Sequence, residues 1–147
     1  MAENTNENVL PSVFSFSEDV SGADAPIPLP AGKYNGEIAA VEAKVSKSGN
    51  TYADITVKIE ASAYPVDWAE GEENPDGLAL HYRRVTIEDT KASRFRLRRF
   101  TEKAGLPAVG RDLDLNNWIG HTVKVLTKIE KGQDGLDYAV VDELMAP

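Results

Sequence analysis

A small, mainly β domain carrying one helix and an extended amino-terminal arm is the fold class that the sequence predicts. Three observations predict it. Several segments alternate apolar and polar residues with a period of two and are separated by Gly, Asn and Asp turn signals. One stretch near 90–104 has helical periodicity between a capping residue and a glycine, and the first 30 residues show neither pattern. With 147 residues, 41% hydrophobic and 27% charged, the chain is long enough for one ordinary core and too short for two comfortable ones.

Residues 1–30 form the predicted arm. They contain Glu3, Glu7, Glu18, Asp19 and Asp24 with no base, and close on Pro26, Pro28 and Pro30. Val9, Leu10, Val13, Phe14 and Phe16 are too apolar for a purely solvated tail, so part of the arm is expected to pack on the body or on a neighbouring subunit. The body is assigned to residues 31–147. Lys33 to Lys44 alternates with Tyr34, Ile38 and Ala40 on one side, then changes phase at Val41 and Ala43 as a bulge would require. The turn at Ser46 to Asn50 follows, its Gly or Asn supplying the positive φ of a tight connection. Thr51 to Glu60 has the cleanest alternation in the chain, Ala53, Ile55, Val57 and Ile59 against Tyr52, Asp54, Thr56 and Lys58. Residues 61–77, with two prolines, two glycines and five acids, read as a long acidic loop. Leu78 to Ile87 is a third strand in which Leu80 and Tyr82 fall out of phase with Val85 and Ile87 unless a bulge intervenes. The outward member of Tyr82, Arg83 and Arg84 is left open.

Asp89 or Thr90 can cap a helix running to about Ala104, ended by Gly105 and Pro107. Leu97, Phe100 and Ala104 share its burying stripe, whereas Phe95 stands among cations on the polar face. Phe95 could stack a base or receive the arm; coverage by another part of the chain is the favoured reading. Asp112 to Trp118 suggests a short helical turn with Trp118 as a core plug. Two last strands follow, His121 to Glu130 (Val123, Val125 and Ile129 opposite Lys124 and Lys128) and Leu136 to Leu144. Five strands with one helix between strands 3 and 4 is the order of an OB-fold barrel, whose second and third strands and adjoining loops commonly bind oligonucleotides or oligosaccharides.

Charge is distributed unevenly along the chain. The net charge is -8, yet nine of sixteen Lys and Arg residues lie in 81–111 against three acids, a local +6 facing -14 elsewhere. A concentrated positive field in an acidic protein serves to hold an anion, commonly a nucleic-acid backbone, or else neutralises acidic neighbours on a solvated face. The pI near 4.8 argues against indiscriminate duplex binding. Without cysteine there is no disulfide framework, thiol nucleophile or thiolate metal site. No HExxH, GxxxxGK[ST] or GxSxG occurs, so no enzymatic activity, cofactor or metal is expected. Asp112 and Asp114 read as turn and capping acids, and His121 as a half-buried structural residue. The opening MAENTNENVLPSV has no basic stretch followed by an apolar one, and no apolar run spans a bilayer. The expectation is a cytoplasmic protein without a membrane partner.

The segments LPAGKY (29–34), KSGN (47–50), AGLP (104–107) and the hydrophobic-Gly-basic entry Ile119-Gly120-His121 resemble, in order and spacing, a family of phage-encoded single-stranded-DNA-binding proteins. The likeness covers roughly residues 29–144. It implies an OB-fold protein that coats single-stranded DNA in phage replication or recombination, in the host cytoplasm, with replication or recombination proteins among its partners. The arm and the 61–77 insertion are longer than the family pattern, and its long acidic tail does not follow Leu144.

Coating a single strand requires cations along the backbone path and aromatic faces for the bases. Lys47, Tyr52 and Lys58 on the first hairpin, Tyr82, Arg83 and Arg84 on the third strand, Arg96 and Arg99 on the helix, and Lys124 and Lys128 on the fourth strand are the candidate nucleic-acid-binding residues. Lys131 and Tyr138 are secondary candidates. Tyr52 is read as outward because Asp54, Thr56 and Lys58 share its phase. Trp68, inside the acidic loop, is read as a protein contact. The acidic arm and basic helix also suggest a homo-oligomer held by the arm. The main rival reading is a phage structural or assembly protein that uses barrel and arm for protein contacts. A carbohydrate or peptide module is weaker.

Overall fold

Five strands and one helix form in the order the periodicity predicts, in a computed structural model that describes residues 9–147. The strands are β1 (Gly32–Val45), β2 (Thr51–Ile59), β3 (Leu78–Thr86), β4 (Thr122–Lys131) and β5 (Asp137–Met145), with α1 (Lys91–Ala104) between β3 and β4. Glu3 and Glu7 of the acidic arm lie outside the described residues. All pairings are antiparallel, in the sheet order β3-β2-β1-β4-β5.

The long strand β1 serves two partners. Its first part pairs with β4 from Gly32↔Thr127 to Glu37↔Thr122, and its second with β2 from Gly36↔Ile59 to Val45↔Thr51. The pairings overlap at Gly36, where a Cβ would sit 2.9 Å from Val125 Cγ2 and 3.1 Å from the Lys58 carbonyl oxygen. Glycine lets the three strands approach there. The β1–β2 register skips Ala39, the bulge that carries Val41 to the buried side and accounts for the phase change read in the sequence.

Two further bulges lie on the edge strands. Opposite β2, the register passes from Ala53↔Val85 to Ile55↔Tyr82, so Arg83 and Arg84 both face Asp54. Opposite β4 it passes from Leu126↔Glu143 to Thr127↔Val141, which leaves Asp142 extra. β3 and β5 exchange no ladder hydrogen bonds, but the curl of the sheet brings these bulges together: Arg84 Nη1 is 3.4 Å from the Asp142 carbonyl oxygen and 3.7 Å from its Oδ1. A bulge increases local twist and re-aims side chains, and here it turns neighbouring arginines towards different carboxylates.

Ile38, Ile55, Val57, Ile59, Val123, Val125 and Leu144 fill the concave side. Trp118, at the end of a 3-10 turn (Leu115–Trp118) capped by Asp114, is 1% exposed and plugs the α1 end of the sheet. Phe100 of α1 bridges outward from it, its ring 5.6 Å from Trp118 and stacked 5.8 Å from Tyr82. Thr90 caps α1 by accepting from the Ser93 N–H, and Gly105 ends it at φ 69°, a left-handed conformation that favours glycine. Ser93 Oγ donates to the Thr86 carbonyl, tying the helix start to the end of β3.

The acidic loop is less irregular than its composition suggests. It holds two 3-10 turns, Ala61–Ala63 and Ala69–Glu73, and Trp68 between them is buried. Trp68 Nε1 donates to the Ile27 carbonyl at 2.8 Å, Ile27 N–H donates to Glu70 Oε1 at 3.0 Å, and Leu29 is buried. The arm is therefore fixed at Ile27–Pro30, and these residues belong to the body although the composition places them in the arm. Two expectations about burial fail. Ile129 is exposed because β4 beyond Thr127 extends past the core as a two-stranded hairpin. Phe95 is 54% exposed with only Arg99 over its ring at 5.9 Å, so no described segment covers it.

Candidate functional site

Because Ala53, Ile55, Val57 and Ile59 occupy the core side of β2, alternation puts Tyr52, Asp54, Thr56 and Lys58 on the outer side. The registers then set Lys44 of β1 beside Tyr52, His81 of β3 beside Thr56, and the Arg83–Arg84 bulge beside Asp54. Lys47 projects from the turn above, which Ser46 closes through its carbonyl and hydroxyl. Partly buried Tyr52 thus sits near cations carried by three elements.

Asp54 organises this face. It is 3% exposed, accepts from Lys44 Nζ at 2.6 Å and His81 Nδ1 at 3.0 Å, and is ion-paired with Arg83, whose Nε is 3.3 Å away. Burial opposes the charged carboxylate, but the hydrogen bonds from Lys44, His81 and Arg83 outweigh it and hold its pKa at about 2. The same contact with Asp54 raises the Lys44 pKa. Lys44 and Arg83 remain about half exposed, so their charge stays available to a ligand while their position is set by a buried anchor.

The other candidates divide into separate places. Arg84 and Lys128 converge on Asp142, Lys128 Nζ lying 3.5 Å from Oδ1, at the meeting of the edge strands. Lys124 donates to Asn35 on the β1–β4 part of the sheet. Lys58 is exposed at the far end of β2, where Glu37, Glu60 and Asp76 line the same cleft and lower the local potential. Arg96 and Arg99 are exposed on α1. Tyr82, whose orientation the sequence left open, lies on the core side of the β3 bulge, and its ring is stacked on Phe100, with burial raising its phenol pKa. Tyr138 donates to Asp134 within its own turn and borders an apolar groove of about 730 Å³ beside the fixed arm.

Lys44, Asp54 and His81 are the members of the face that sequence reasoning missed. The signal for Asp54 was present as a lone carboxylate amid the polar side of β2, but its partners follow from a register that one bulge decides. Among the described residues no cluster of three or more His, Asp or Glu side chains has metal-ligand geometry, and no helix is long and apolar enough to cross a membrane. The fold and site together define a small antiparallel β domain with an anchored cationic face around an aromatic ring. No family model and no curated protein matches the chain, so this geometry, with the motif resemblance, has to support the functional reading.

Proposed function

We propose that the chain is a non-catalytic single-stranded-DNA-binding protein built on an OB-type barrel, serving phage replication or recombination. The observation that carries this reading is Tyr52, set among Lys44 and Arg83 on the adjoining strands and Lys47 on the hairpin turn: a ring for a base, with cations around it for the phosphates that flank it. The facing bulges of β3 and β5 support the barrel, since they bring the free sheet edges side by side. The acidic balance of the chain restricts phosphate contact to this local face and favours a flexible strand, which can follow it, over a rigid duplex.

The test is a fluorescence-polarisation titration with labelled oligo-dT at increasing salt, beside a duplex of equal length. Binding to the single strand should weaken log-linearly with salt at a slope of about -0.7 for each phosphate neutralised. No binding even at the lowest salt would eliminate the reading. A second reading, an assembly protein working through protein contacts, is favoured by the exposed Val9, Leu10, Val13, Phe14 and Phe16. It calls for self-association or partner capture without any affinity for oligo-dT.

A further inference from the structure

Two apolar grooves and one unburied apolar segment lie outside the face around Tyr52 and Asp54. The segment is Val9–Phe16, whose five large apolar side chains are all exposed and are followed at once by Glu18 and Asp19. Exposed aromatics of this number in a short stretch mark an interaction segment. The larger groove, about 730 Å³ between the fixed arm and the β4–β5 hairpin, is bordered by Glu70 and Asp137, which would repel an acidic peptide. The smaller, about 420 Å³, runs along α1. Leu97, Leu106 and Val109 form its apolar floor, and its charged lining is Arg94, Arg98 and Glu102, a balance of one positive charge, with Arg98 paired to Glu102 and Arg94 to Asp89 in exposed pairs that a ligand can replace. Exposed Phe95 lies on the next turn beside Arg98 and extends the apolar surface past that lining.

We propose that the α1 groove receives the Val9–Asp19 segment of a second copy of this chain, with Phe14 and Phe16 on the apolar floor and Glu18 and Asp19 against Arg94 and Arg98. Charge complementarity selects this groove over the larger one. Exposure of the segment selects a second copy over its own body. The arm is pinned at Ile27 and Leu29, beside Leu78 at the start of β3, whereas α1 is tied through Ser93 to Thr86 at its end. Residues 9–24 are exposed along their whole length and, among the described residues, hydrogen-bond only within the Asp19–Ala23 turn, so the segment is not laid against its own α1. Reciprocal exchange between two copies gives a closed, two-fold assembly in which each chain contributes one arm and one groove. This inference does not depend on the DNA-binding reading and is tested without nucleic acid.

The experiment is sedimentation equilibrium of the full chain from micromolar to submillimolar concentration, at low and high salt. The expected mass rises with concentration from 16.0 kDa towards twice that value, and association weakens by about tenfold or more as salt screens the charge pairs. Phe14→Ser with Phe16→Ser removes it, and so does Arg94→Glu with Arg98→Glu, which alters exposed side chains and leaves the core intact. Mixing these variants restores a dimer, because one supplies an intact groove and the other an intact arm. A wild-type mass fixed at the monomer value, or association that survives the groove variant, overturns the proposal. Arm protection at monomer mass does the same, since it means docking within one chain.

Discussion

The outer face around Asp54 and the exposed side of α1 both carry Lys and Arg cations, and they differ in how their hydrogen-bond donors are held. On the sheet, Lys44, His81 and Arg83 converge from two strands on one buried carboxylate. On the helix, Arg94 pairs with exposed Asp89, Arg98 with exposed Glu102 one turn away, and Arg99 lies over Phe95. Pairs of the second kind contribute little and are readily exchanged for other partners. Those of the first kind have already lost rotamer freedom, so less entropy remains to be lost when a ligand arrives. Charge density along the chain is highest in the helix, yet the preorganised positive site is on the sheet.

Replacing the anchor is the most severe way to break this contrast. Asp54→Ala is expected to lower unfolding free energy by about 2 to 3 kcal/mol in urea titrations, because the network loses its common acceptor. The pH dependence has a defined sign. The folded pKa of about 2 lies below the ordinary 3.8, so Asp54 contributes stability that is complete above pH 4 and is lost as pH falls through 2. That contribution is on the order of 2 kcal/mol. Asp54→Asn should lack this portion of the acid limb, and an unchanged acid midpoint would show that the contacts do not hold in solution.

Tyr52→Ala tests the aromatic half of the sheet site and should weaken oligo-dT binding by about 5- to 30-fold, within the usual range for one base–aromatic stack. Arg83→Ala is expected to lose less affinity, about threefold at moderate salt, and to reduce the salt slope by about 0.7 as one phosphate contact disappears. The smallest effect belongs to the helix. Arg96→Ala with Arg99→Ala should leave oligo-dT affinity within about twofold, as expected for exposed charges lying away from the ring. A loss larger than that of Arg83→Ala would reverse the comparison and move the binding path onto α1.

Much of the architecture was legible in the sequence because it rests on local rules. Period-two alternation located β2, the capping pair Thr90 and Gly105 bounded α1, and the proline and acid content marked the 61–77 loop, although the same content put Ile27–Pro30 in the arm where the fold ties them to the body. The same alternation placed Tyr52 and Asp54 on one outer face, and bulk and position identified Trp118 as a plug. Long-range registry was not legible. Each bulge reverses every side chain beyond it, so whether Tyr82 faces the core and whether Arg83 and Arg84 turn to Asp54 and Asp142 depends on where β3 and β5 each insert one residue.

Composition and periodicity determined by themselves that this chain forms a mainly β fold with a single helix, and they located a concentrated basic stretch. Tertiary structure alone decided which cations become fixed. Asp54 meets Lys44 from ten residues earlier and His81 from twenty-seven residues later. A carboxylate is buried with its charge intact only where folding assembles enough donors around it, and no local pattern encodes that assembly.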